Sequence, residues 1–114
     1  MHIFPQKAKT VPGTYYFGEF DDNPKAPFSI SWAKLTRNNY QMEKKHYHTK
    51  HQKVFVTLAG EGSLNVNGQE TKMVPEKMIQ VEPGEIHFLQ KIISEELEFI
   101  VVLAAKENDK VVIE

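Results

Sequence analysis

The sequence predicts an all-β domain, a sandwich or barrel of short strands. Three observations carry this reading. Apolar and polar residues alternate with period two over short runs rich in aromatic and β-branched side chains. Turn chemistry separates those runs at Gly60-Glu61-Gly62, Asn67-Gly68 and Pro83-Gly84. The best helical window, residues 92–97, is too short and merges into the apolar run Phe99-Ile100-Val101-Val102-Leu103.

Taken in order, Thr14-Tyr15-Tyr16-Phe17 reads as the first strand. Asp21-Asp22-Asn23-Pro24-Lys25-Ala26-Pro27 reads as a loop. From Phe28 the alternation places Phe28, Ile30 and Trp32 on one face and Ser29 and Ser31 on the other. It then reverses, with Ala33 and Leu35 apolar and Lys34 polar. Lys44-Lys45 reads as a solvated approach to a strand carrying His46 and His48. Further strands are expected over 54–58, 64–67, 70–74, 78–81 and 97–103, with 110–113 as one more edge strand. Asn67-Gly68 is a strong two-residue hairpin signal. The acidic run Ser94-Glu95-Glu96-Leu97-Glu98 reads as a solvated turn. There is no repeat, low-complexity tract or linker, so residues 1–114 are expected to form one domain, with its barrel core over about 28–104.

At 114 residues the chain is long enough for a single core, burying about 65% of its unfolded surface. Fourteen basic against fifteen acidic side chains leave a net charge of −1. That balance argues against nucleic-acid binding driven by phosphate neutralisation. The absence of cysteine removes disulfides, thiolate metal sites and cysteine nucleophiles. No run approaches the ~20 apolar residues of a membrane span, and the first residues carry no apolar run of signal-peptide length. The expectation is a soluble cytoplasmic protein.

Four of the five histidines fall in two places: His46, His48 and His51 in one run, and His87 after Pro83-Gly84. The fifth, His2, is read as a terminal residue without a role. On a strand, His46 and His48 share a face with Cα atoms roughly 6.6 Å apart, a spacing that suits two ligands of one metal ion.

With these residues in place, the chain resembles the cupins. That family's first motif reads glycine, five residues, His-x-His, three or four residues, glutamate, six residues, glycine. His46 and His48 fit the His-x-His, and Gly60 fits the closing glycine. The second motif reads glycine, five residues, Pro-x-Gly, two residues, His, three residues, asparagine. Gly84-Glu85-Ile86-His87 fits its core. The departures are Tyr40 for the first glycine, Lys53 for the glutamate ligand, Pro83 one position late, Glu76 for the second glycine and Lys91 for the asparagine. The resemblance spans roughly residues 28–103 and implies a double-stranded β-helix (jelly-roll) barrel.

Parity on the strand at 53–58 is ambiguous by pattern. Gln52, Val54, Val56 and Leu58 form the more apolar face, whereas the family register turns Lys53, Phe55 and Thr57 inward. The family register is preferred here. It leaves an apolar outer face for a second sheet or a second subunit, which makes a homodimer the expected assembly.

The resemblance implies a pocket for a small molecule. Its metal ligands would be His46, His48 and His87, with His51 or Gln52 as weaker candidates, and the ion would be divalent zinc, iron, nickel or manganese. Lys53, Phe55, Trp32 and Phe88 are the expected pocket residues. Lys53 and Tyr40 are the candidates for acid–base work. Two rival readings stand beside this one. In the first, a metal-free module binds a sugar or carboxylate through Lys53. In the second, a metal-free sugar isomerase or epimerase uses a histidine and a tyrosine as its acid–base pair.

Overall fold

A computed structural model describes residues 1, 7–8, 13–17, 28–104 and 109–113. The expected loop at 21–27 and His2 lie outside these residues. Among the described residues there are eleven strands: β1 (Lys7–Ala8), β2 (Thr14–Phe17), β3 (Ser29–Thr36), β4 (His46–His48), β5 (Lys53–Ala59), β6 (Gly62–Val66), β7 (Gln69–Met73), β8 (Met78–Val81), β9 (His87–Ile92), β10 (Glu96–Leu103) and β11 (Lys110–Val112). They form two antiparallel sheets. One runs β1-β2-β3-β10-β5-β8 and the other β11-β4-β9-β6-β7. This is the all-β, double-stranded β-helix architecture expected. No helix among the described residues is long and apolar enough to cross a membrane.

The hairpin β6–β7 turns on Asn67-Gly68, both with positive φ (51° and 85°). Two left-handed residues in a row match the twist of the flanking strands, and Asn-Gly supplies them at low cost. Asn67 also exchanges backbone and side-chain hydrogen bonds with Ile86. The hairpin tip thereby holds the segment that leads into His87. On the other side of that segment, Gly84 N donates to His48 O at 2.8 Å. The Pro83-Gly84 turn therefore fastens one histidine-bearing strand to the other.

Inner faces of the two sheets enclose an apolar core that includes Leu35, Leu64, Met73, Val81, Ile92, Leu97 and Phe99. Leu64, Met73 and Leu97 are completely buried, each worth roughly 1.5–3 kcal/mol of transfer free energy. Along β3, β10 and β5 the paired inner positions change character. Leu35↔Leu97 is apolar, but Ser29↔Leu103↔Lys53 crosses the sheet at the opposite end. That end is where the histidines sit.

The structure revises one strand-level expectation, bears out another and adds β9. The backbone of β3 pairs with β10 in unbroken register from Ser29 to Thr36, so the reversal at Ala33 is a change from polar to apolar residues along one inner face. Ser29, Ser31, Ala33 and Leu35 all face inward, the serines toward the cavity and the others toward the core. Trp32 therefore faces outward. On β5 the register that turns Phe55 and Thr57 inward is the observed one, and both are 3% exposed. The apolar parity of Val54, Val56 and Leu58 belongs to the outer face. The strand β9 is not predicted by pattern. It lies between β4 and β6, with His87, Phe88 and Leu89 all buried, so no alternation marks it.

Candidate metal centre

His46 and His48 alternate with Tyr47 on β4 and turn inward together. His87 opens β9 directly opposite His46. Cross-strand pairing thus adds the third imidazole to the first two. Ring centroids are 4.4 Å apart for His46–His87 and 5.9 Å for the other two pairs. One nitrogen from each ring lies within 4.8 Å of the others, and all three residues are at most 4% exposed. These three histidines could hold a metal ion.

The outer nitrogen of each ring has a fixed acceptor. His46 Nδ1 lies 2.9 Å from Lys44 O, and His87 Nδ1 lies 2.9 Å from Glu85 O. His48 Nδ1 lies 2.7 Å from Asp109 Oδ1. Carbonyl and carboxylate oxygens only accept, so each Nδ1 carries the proton and donates it. The neutral ring then presents its lone pair at Nε2. Outer hydrogen bonds of this kind are what orient histidines toward a metal.

Lys53, the first residue of β5, reaches the same place from the facing sheet. Its ammonium donates to His46 Nε2 at 3.3 Å and to His87 Nε2 at 3.2 Å. It also lies 5.2 Å from the Phe55 ring centroid. Burial, and then the Lys53 charge, push the pKa of both histidines down to about 3. Both are neutral at physiological pH, the state a metal requires.

Asp109 opposes the same logic from outside. Burial works against its ionisation, but the His48 ring and the amides of Lys50 and His51 outweigh it and hold the carboxyl below its usual value. Those two amides donate to Oδ2 at 2.8 and 3.1 Å. Sequence reasoning did not find Asp109. It lies 61 residues from His48, and its one signal is that it precedes the apolar run of β11.

The centre opens into a cavity of about 940 Å³, at the upper end of the range for small-molecule sites. Phe55, Leu89, Phe99, Val101 and Leu103 supply apolar wall; Ser29, Ser31 and Tyr40 supply hydroxyls. Lysines 34, 44, 53 and 110 also line it. Glu43 lines it too, its carboxylate accepting from Leu89 N at 2.6 Å, and Lys34 pairs with Glu96 at 3.6 Å.

Of the expected pocket residues, Lys53 and Phe55 line this cavity. Trp32 and Phe88 do not. Trp32 stacks on Tyr15 at 5.0 Å and donates to Glu98 on the outer face. Phe88 pairs with Asn65 on the far face of β9, with the Lys45 ammonium 5.6 Å from its ring. His51 is not part of the histidine cluster and Gln52 is exposed; in the turn after β4 the His51 amide donates to Asp109 and the Gln52 carbonyl accepts from Ala104 N. Tyr40 lines the cavity, but its hydroxyl donates to Leu89 O and accepts from Glu43 N. Burial raises its pKa well above the ordinary tyrosine value.

No curated protein matches the sequence significantly. Solved structures match in fold. An uncharacterised double-stranded β-helix protein from Klebsiella pneumoniae superposes with a TM-score of 0.67 at 19% identity, over 77% of this chain and 76% of that one. A cupin protein from Bacteroides fragilis gives 0.70 at 11% identity, over 92% and 86%. The capsular polysaccharide assembling protein CapF from Staphylococcus aureus gives 0.72 at 12% identity over all of this chain, which spans only 33% of that larger protein. A family profile described as "Cupin domain" matches residues 39–103, which include β4 to β10 and all three histidines. On this match, the chain belongs to the cupin family.

Proposed function

We propose that this chain is a small-molecule-binding cupin whose His46, His48 and His87 hold a divalent metal ion at the floor of the cavity. One observation supports this most directly: all three Nδ1 atoms donate outward, which leaves three Nε2 lone pairs on one buried cluster. Three imidazoles with further positions open suit zinc, iron, nickel or manganese. A bound ion would supply Lewis-acid chemistry to a polar ligand group. Lys53 must swing aside for it, because an ammonium and a divalent ion compete for the same lone pairs. The apolar walls would then hold the body of the ligand, and the lysine would reach an acidic group on it.

Elemental analysis of untagged protein purified without chelator tests this. Near-stoichiometric metal that disappears in His48→Ala supports the reading. No metal, even after reconstitution with zinc, iron, nickel and manganese, overturns it.

A second reading rests on the Lys53 contacts themselves. With the ammonium at 3.2–3.3 Å from two imidazoles, Lys53 takes the ion's place and anchors a small carboxylate or a sugar without metal. The Lys53 ammonium at the histidine cluster favours an anion over a neutral sugar. Calorimetry with small carboxylates against their amides, on chelator-treated protein, separates the two. The isomerase or epimerase reading loses its tyrosine, since the Tyr40 proton is committed to Leu89 O. In either reading the molecule works as a homodimer in the cytoplasm. The dimer rests on the outer face of the six-stranded sheet, and the location on the cysteine-free composition.

A further inference from the structure

Asp109 carries a buried carboxylate with three donors, and it lies beyond the residues that match the family profile. Its two oxygens have separate tasks. Oδ2 accepts the amides of Lys50 and His51, which shape the turn between β4 and β5. Oδ1 accepts from His48 Nδ1. The carbonyl of Asp109 adds a bond from Thr49 N at 3.3 Å. His46 and His87 need nothing comparable, because each donates to the carbonyl two residues before it. His48 depends on the C-terminal segment instead.

We infer that Asp109 is a positioning residue: it holds His48 in the Nδ1–H tautomer, so that Nε2 is the nitrogen offered to a metal. The inference rests on the metal reading for its consequence, but the tautomer stands without it. Asp109, immediately before β11, is then part of the site, because its carboxylate decides which nitrogen of His48 bears the proton.

The isosteric variant Asp109→Asn gives a sharp test. An amide has one acceptor oxygen and one donor nitrogen. Two backbone N–H groups at Lys50 and His51 demand the oxygen, which turns the amide NH₂ toward His48 Nδ1. His48 must then accept at Nδ1 and carry its proton on Nε2. A merely structural role for Asp109 would not move the proton.

The measurement is nitrogen-15 NMR of histidine side chains in chelator-treated protein, followed by zinc titration. In the wild type, His48 is expected as the Nδ1–H tautomer. In Asp109→Asn it is expected as Nε2–H, with the backbone amide spectrum preserved and zinc affinity lower by about 10–100-fold. A wild-type His48 in the Nε2–H form overturns the inference without any variant. So does an Asp109→Asn protein that keeps Nδ1–H or binds zinc as tightly as the wild type. If the wild type binds no zinc, the metal reading falls, and the tautomer measurement alone decides the role of Asp109.

Discussion

The ammonium of Lys53 lies 3.2 Å from His87 Nε2 and almost as close to His46 Nε2. A side chain from one sheet therefore places a positive charge on the lone pairs that the other sheet assembles. Replacing it with the neutral, similarly sized methionine removes the competitor. Lys53→Met is expected to raise zinc affinity by at least about tenfold, and Lys53→Glu further, since a carboxylate attracts the ion. Competition titration with a chromophoric chelator reads this. Equal or weaker binding in both variants sinks the idea that lysine and metal compete.

The same contacts set the response to acid. His46 and His87 have pKa values of about 3 in the folded chain against an ordinary 6.5. Between those values the unfolded chain binds protons that the folded chain refuses. Stability is therefore fully present above about pH 6.5 and falls as pH drops toward 3. Asp109, also held low, adds a loss in the same direction at lower pH. Urea midpoints of chelator-treated protein should decline from pH 7.5 to pH 5, and less steeply in Lys53→Met. A flat or rising midpoint over this range contradicts the neutral, buried histidines.

The sequence made the turns and the three histidines legible because those signals are local. Asn67-Gly68 needs only its own backbone angles, and His-x-His only the pleat of a strand. Phe55 facing inward was legible through the family register and not through the apolar count, which favoured Val54, Val56 and Leu58. What stayed hidden depended on partners far along the chain. β9 lacks alternation because neighbouring strands cover it. Trp32 faces outward because β3 runs in unbroken register with β10, although its serines suggested otherwise. Asp109 becomes meaningful only when β11 is laid beside β4.

Tyr40 distinguishes a latch from a catalytic group. Its hydroxyl bridges Leu89 O and Glu43 N, joining the segment before β4 to β9. Tyr40→Phe removes both bonds and leaves a part-buried carbonyl and amide without that partner. A loss of about 1–3 kcal/mol in unfolding free energy is expected, with zinc affinity unchanged within a fewfold. Unchanged stability with altered ligand or metal affinity would reverse the assignment.

The closing turn of the first motif is equally specific. Gly60 has φ of 85°, and a Cβ there would lie 2.1 Å from Glu96 O. Backbone cannot yield as a flexible side chain can, so Gly60→Ala combines left-handed strain with a clash. Destabilisation of more than about 2 kcal/mol is expected. By contrast, Gly68→Ala meets no atom within 4 Å and carries only the conformational cost. Thermal unfolding of the pair should rank Gly60→Ala well below Gly68→Ala; the reverse order would contradict the packing of this turn.

The outer face of the six-stranded sheet bears on assembly. Pairing aligns Tyr15, Trp32, Ile100, Val56 and Met78 across five strands, with Ile30, Val102 and Val54 in the adjacent row. Met78 is 74% exposed and Leu58 45%. A continuous apolar face of this kind is the feature that a second copy would cover. Val56→Lys combined with Ile100→Lys puts two cations in the middle of it while leaving the core and the histidines untouched. Light scattering coupled to size-exclusion chromatography should then show a dimer for the wild type and a monomer for the double variant, both binding zinc alike. A wild type that is monomeric at high concentration removes the dimer from the reading and leaves the metal centre as it stands.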